Sequence, residues 1–174
     1  MPIGRMTTAS FFLCMPDSNW LDLVLIRHGI AEPRVQGLDH PERPLTARGR
    51  QRTHAVMEAL LGRGLVLDRL ISSPYRRALE TAQLAVRVGM APQLGIDDRL
   101  RPGGSALELV QRLQGRVALV GHEPDLSQLA CELIGLAPGR IHLKKAGLLL
   151  LHRCDHRWQL QALLRPGLLL QQQV

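Results

Sequence analysis

A chain of 174 residues fits one domain and can bury a full core without disulfide or metal staples. Apolar residues make up 45% of it but aromatic ones only 3%, so Leu, Val, Ile and Ala must build the core, and a base-stacking surface for nucleic acid is not expected. The formal charge of +7 points instead to acidic protein surfaces or phosphorylated substrates, and no apolar run approaches the length of a membrane span.

Residues 1–20 show neither alternation nor helical period and read as a loose N-terminal extension, with Met1, Met6 and Met15 each available as a start. Residues 21–174 read as a single domain. Cys14, Cys131 and Cys154 are an odd, widely spaced set without a CxxC pair, which predicts no disulfide framework and fits a reducing cytoplasm.

The first element is Leu23-Val24-Leu25-Ile26, a short apolar run that reads as a strand buried on both faces and broken at Gly29. Arg27 and His28 then stand at the carboxyl end of a parallel strand, where open α/β sheets bind their ligands. Arginine offers a planar fork of donors for phosphate oxygens, and histidine a neutral nitrogen nucleophile near pH 7. Residues 30–44 are polar and rich in proline, which predicts a loop over the end of the sheet; Asp39, His40 and Glu42 could face a site there, with solvated loop residues as the default. A helix from about Thr46 to Leu61 follows, with Ala55, Val56, Ala59 and Leu60 inward, Arg48, Arg50 and Arg52 on the wet face, and Gly62 and Gly64 as the stop.

The second strand is Leu67–Ser72, followed by a helix with Ser73 as N-cap and Pro74 in its first position. Arg76 and Arg77 fall in its first turn, where the helix dipole disfavours cations, so the pair implies a bound anion there. Residues 93–100 predict a weaker third strand, and Ser105 with Glu108 a capping box opening a helix to about Leu113. The run Val117-Ala118-Leu119-Val120 repeats the first strand and also ends in a histidine, His122, beside a glycine. Asp125 is the expected N-cap of the next helix, with Gln128 completing its box and Gly135 closing it. Ile141–His152 and Trp158–Leu164 predict an antiparallel hairpin around Cys154-Asp155-His156. Alternation along an edge strand accounts for the spacing of His152, Cys154 and His156, so neither a metal nor a cofactor is expected. The order of elements predicts an α/β three-layer sandwich, its mostly parallel sheet flanked by helices and carrying an antiparallel C-terminal edge.

Three segments, Leu25-Ile26-Arg27-His28-Gly29, Ser73-Pro74-Tyr75-Arg76-Arg77-Ala78 and Val120-Gly121-His122-Glu123-Pro124, resemble in order and spacing the signature blocks of the histidine phosphatase superfamily, which shares its fold with phosphoglycerate mutase. Arg43-Pro44-Leu45-Thr46 also resembles the family's stretch ahead of the first helix, and the similarity spans about residues 21–165. The absence of a large insertion between the second and third blocks is most similar to the small SixA-type phosphohistidine phosphatases. The resemblance implies that His28 is the nucleophile that becomes phosphorylated, and that Arg27, Arg77 and His122 grip the phosphoryl group. His122 is then expected to donate as an imidazolium in the complex.

Two positions depart from the family. Glu80 stands where many relatives have glutamine, and no general acid maps cleanly. Glu123 is similar in position to the acid of the phytase-like branch and is the candidate here. A phosphohistidine substrate lessens the need for one, because its leaving imidazole can already carry a proton. The expected activity is therefore metal-independent hydrolysis of phosphohistidine on a signalling phosphotransfer protein, by a monomer or weak dimer with no nucleic-acid or membrane partner. A small phosphate-ester phosphatase, a mutase-like enzyme and a non-catalytic phosphoprotein-binding module are the alternatives.

Overall fold

The computed structural model describes residues 20–171; of the expected N-terminal extension, residues 1–19 lie outside them. Six strands form one sheet: β1 (Leu21–Arg27), β2 (Arg69–Ser72), β3 (Leu94–Ile96), β4 (Gly115–Gly121), β5 (Leu148–Cys154) and β6 (Arg157–Leu164). Their order is β3-β2-β4-β1-β5-β6. The first four are parallel, whereas β5 runs antiparallel to both β1 and β6, so that the β5–β6 hairpin forms the expected antiparallel C-terminal edge, with β6 outermost. The helices are α1 (Ala47–Leu61), α2 (Arg76–Arg87), α3 (Ala106–Val110), α4 (Asp125–Leu133) and α5 (Pro166–Leu170).

Alternation along β1 builds the two halves of the core. Leu21, Leu23 and Leu25 point to one face, where α3 and α4 cover them through Leu109, Val110, Leu126 and Leu129. Val24 and Ile26 point to the other, against Val56, Met57 and Leu60 of α1, the alanines of α2, and Leu169 of α5. Both faces of the sheet are covered, which is why β1 and β4 read as unbroken apolar runs.

Several boundaries differ from expectation for local reasons. Thr46 caps α1, accepting the Gly49 N–H at 2.8 Å, as its position suggested. Ser73 and Pro74 do not open α2; the helix starts at Arg76, because the Ser73 hydroxyl turns toward His122 and the Tyr75 amide instead. The third strand is only Leu94–Ile96, since the Asp97 side chain accepts the Arg99 N–H and starts a 3-10 turn over Asp98–Leu100. Ser105 precedes α3 without a side-chain cap, and Asp125 lies inside α4, its carboxylate accepting the Gly103 N–H across a loop. The hairpin turns at Asp155 and His156, both at positive φ as a two-residue turn requires. Strand β5 begins at Leu148, so Ile141–Gly147 is a loop; it is recruited by the end of β1.

Candidate active site

The carboxyl ends of β1, β4 and β2 meet at one place. The His28 N–H donates to Gly121 O at 3.1 Å and the Ser73 N–H to Val120 O at 2.9 Å, so the residues following the three strands are stitched side by side. This brings His28, His122 and Ser73 together, all buried, and α2 begins close enough to insert Arg77, whose side chain is only 1% exposed. Gly29 is required because α1 passes directly behind it: a Cβ there would lie 2.3 Å from Thr53 Oγ1.

His28 is held in one tautomer. Its Nδ1 lies 2.7 Å from Gly29 O, which can only accept, so Nδ1 carries the proton and Nε2 keeps its lone pair. That lone pair faces the Arg77 Nε–H at 3.3 Å. Burial lowers the His28 pKa to about 3; the bond to Gly29 opposes this, and the charges of Arg77 and Arg27 reinforce it. The ring is therefore a neutral base at physiological pH.

His122 sits with its ring centroid 5.2 Å from that of His28 and 5.3 Å from that of Tyr75. Burial, reinforced by the Arg77 charge, lowers its pKa to about 3 as well. Its Nε2 is 2.8 Å from Ser73 Oγ, while its Nδ1 is buried with no hydrogen-bond partner among the described residues. Because Ser73 Oγ already accepts from the Tyr75 N–H at 3.2 Å, its own hydrogen is free to go to His122 Nε2.

The arginines are anchored differently. Arg27 donates from Nη1 to Leu143 O at 2.8 Å, and its Nε is buried and unpartnered among the described residues. Arg77 Nη2 pairs with Asp39 Oδ2 at 2.9 Å, and its Cζ lies 4.9 Å from the centre of the Tyr75 ring. Arg76, by contrast, is exposed and pairs with Glu80 Oε1 at 3.0 Å.

Asp39 belongs to the site rather than to solvent. Arg77, Arg43 and Arg34 surround its carboxylate, and although burial pushes its pKa up, the hydrogen bond from Arg43 and these charges hold it below the ordinary value. His40 contributes its carbonyl to Arg77 Nη1 at 3.4 Å, whereas Glu42 is exposed. Glu123 lies near enough to Arg27 for its charge to favour that cation, and Ser127 Oγ is within 2.8 Å of both its carboxylate oxygens. Glu80 accepts the Leu45 N–H at 2.9 Å and pairs with Arg50 and Arg76, which ties α2 to the start of α1. Its role is that of a clamp beneath the loop.

From the sequence, Asp39 is a loop residue left to solvent by default, and Ser73 reads as a cap. The arginine pairs of Asp39 come from α2 and from its own loop, and loops carry no periodicity that would reveal them. Among the described residues no three His, Cys, Asp or Glu side chains are grouped to hold a metal ion; His152 instead bonds Asp22 Oδ1 through Nδ1 at 2.7 Å, and no helix is long and apolar enough to cross a membrane.

Residues 23–103 match the family model of the histidine phosphatase superfamily (branch 1). An uncharacterized protein of Picosynechococcus sp. is 33% identical over 137 residues, covering 74% of this chain and 83% of its own. Among solved structures, the protein histidine phosphatase SixA complexed with tungstate aligns with a TM-score of 0.75 at 21% identity, covering 85% of this chain and 99% of that one. The alpha-ribazole phosphatase from Shigella flexneri aligns with a TM-score of 0.67 at 20% identity, covering 83% and 96%. The two solved structures share the fold of this chain.

Proposed function

The chain belongs to the histidine phosphatase superfamily, and from that premise we propose that it is a metal-independent phosphatase acting on phosphohistidine of a phosphotransfer protein, through a covalent intermediate on His28. The observation that carries this reading is the tautomer of His28. With Nδ1–H committed to Gly29 O, the only free lone pair of the ring is on Nε2, aimed at a buried guanidinium.

In the first step Nε2 attacks phosphorus, and the P–N bond of the substrate breaks with its electron pair returning to the leaving nitrogen. If the other nitrogen of that imidazole is already protonated, it departs neutral and needs no strong acid. In the second step water attacks the phosphorus on His28, the P–Nε2 bond breaks, and the water proton leaves with phosphate. Throughout, Nδ1–H remains on Gly29 O, which steadies the positive charge the ring carries while phosphorylated.

Arg27, Arg77 and His122 are assigned to the phosphoryl oxygens, where fixed donors stabilise the charge of a loose transition state. A Ser73 hydrogen given to Nε2 would leave the proton of a neutral His122 on Nδ1, a donor that does not need the imidazolium expected for the complex. The carboxylates adjoining the site favour a leaving group that needs no acid: arginines keep Asp39 ionised, and Ser127 occupies Glu123. Cytoplasmic signalling is the setting this reading implies.

Brief incubation with a ³²P-phosphohistidine protein and a neutral quench tests it. Acid-labile, alkali-stable label should appear on the wild type and be absent from His28→Ala, which should also lose turnover; a fully active His28→Ala variant sinks the mechanism.

A further inference from the structure

The loop Ile141–Gly147 has two sides. On one, Leu143 O accepts from Arg27 Nη1 and the Ala146 N–H reaches the carbonyls of Arg27 and His28 at 3.1 Å, so its backbone is part of the active-site wall. On the other, Lys144 and Lys145 line a cleft of about 420 Å³, together with Arg52 of α1, Arg165 after β6, and the start of α5. Among the described residues no acidic one lines this cleft.

Among the described residues its charge is not balanced from nearby. Arg50 and Arg76 are paired by Glu80, Arg99 by Asp97, Arg101 by Asp98 and Arg116 by Asp22. Among the described residues Arg52, Lys144, Lys145 and Arg165 have no ion-pair partner. Four unneutralised cations around one concavity repel each other and raise the local affinity for anions. Leu168, 65% exposed, stands at the same cleft and offers an apolar contact within the charged ring.

We propose that this cleft docks an acidic surface of the phosphoprotein substrate and so presents its phosphohistidine to His28. The inference rests on the function proposed above and adds where the partner sits. Position favours a protein over other polyanions: the loop that carries Lys144 and Lys145 is also bonded to Arg27 and His28, so a body seated on these cations lies against the same loop as the catalytic wall. A free anion in the cleft would gain nothing from that adjacency. Charges of this kind act mainly on encounter and salt dependence.

The test compares wild type with Arg52→Glu/Arg165→Glu, which leaves the loop backbone under Arg27 intact. The substrates are an acidic histidine-phosphotransfer protein, phosphorylated with phosphoramidate, and p-nitrophenyl phosphate. We expect kcat/KM on the protein to fall about tenfold, mostly through KM, and its salt dependence to flatten. Turnover of p-nitrophenyl phosphate and the melting temperature should hold. An equal fall on both substrates would mean a disturbed active site and overturn the docking assignment. Unchanged protein turnover and salt slope would overturn it too, leaving the catalytic reading in place; if wild type then sediments with phosphatidylserine vesicles and the variant does not, the cleft belongs to a membrane surface. A wild type that hydrolyses only the ester removes both proposals together.

Discussion

At the scale of single residues the site depends on two imidazoles that stay neutral far below their usual range. Their pKa values of about 3 in the fold, against 6.5 when unperturbed, have a consequence for stability. Between pH 6.5 and 3 the unfolded chain takes up protons that the folded chain refuses, so stability must fall as pH drops through that window and stay flat above it. The upper bound is about 1.4 kcal/mol per pH unit for each ring. Urea unfolding at pH 7 and pH 5 should show this loss, with a shallower slope in His122→Asn; equal slopes would mean that His122 is not buried as a neutral ring. Ser73 is the positioning residue for that ring. Ser73→Ala should lower kcat about tenfold with little change in KM, the scale of one lost hydrogen bond, and Ser73→Thr should restore much of it. Without the hydroxyl, His122 Nε2 loses its partner at 2.8 Å, so the pH profile of kcat should also move in Ser73→Ala and not in Ser73→Thr.

At the scale of elements, Gly29 sets how closely α1 can approach the end of β1. Gly29→Ala places a methyl against Thr53 Oγ1 and should cost about 1–3 kcal/mol. Thr53 Oγ1 is buried without a partner among the described residues, so Thr53→Ala alone should be nearly neutral and the double variant should recover most of the loss. A double-mutant cycle by thermal or urea unfolding measures this; additive losses would place the strain elsewhere. The same elements show what was legible beforehand. Strands β1 and β4 were readable because burial on both faces leaves an unbroken apolar run, and α1 because Thr46 and Gly62 mark its ends locally. Ile141 and Leu143 were taken into β5 because they are apolar, yet they are buried in a loop held by Arg27, a tertiary contact with no local signature. Ser73 misled in the opposite way. Its residue type suits a helix cap, and only the arrival of His122 from β4 redirects its hydroxyl.

At the scale of the whole molecule, the parallel order β3-β2-β4-β1 lays three strand ends side by side, and the groups proposed to act on the phosphoryl, with Asp39 beside them, come from four separated parts of the chain. The loop that leads into the antiparallel β5 holds Arg27 through Leu143 O and carries Lys144 and Lys145 of the basic cleft. Three of the blocks were recognisable as motifs because each lies at a strand end or helix start of fixed local pattern. Asp39 was not, because only the folded loop brings it to Arg77. The central claim is that this assembly transfers a phosphoryl group from protein phosphohistidine to His28 and then to water. The most direct measurement is a paired turnover assay on one preparation, comparing a histidine-phosphorylated phosphotransfer protein with a panel of small phosphate esters and using His28→Ala as the blank. The account predicts a kcat/KM for the phosphoprotein well above that for any ester, all of it lost in His28→Ala. Preference for one ester, or phosphoprotein turnover that survives in His28→Ala, would contradict it.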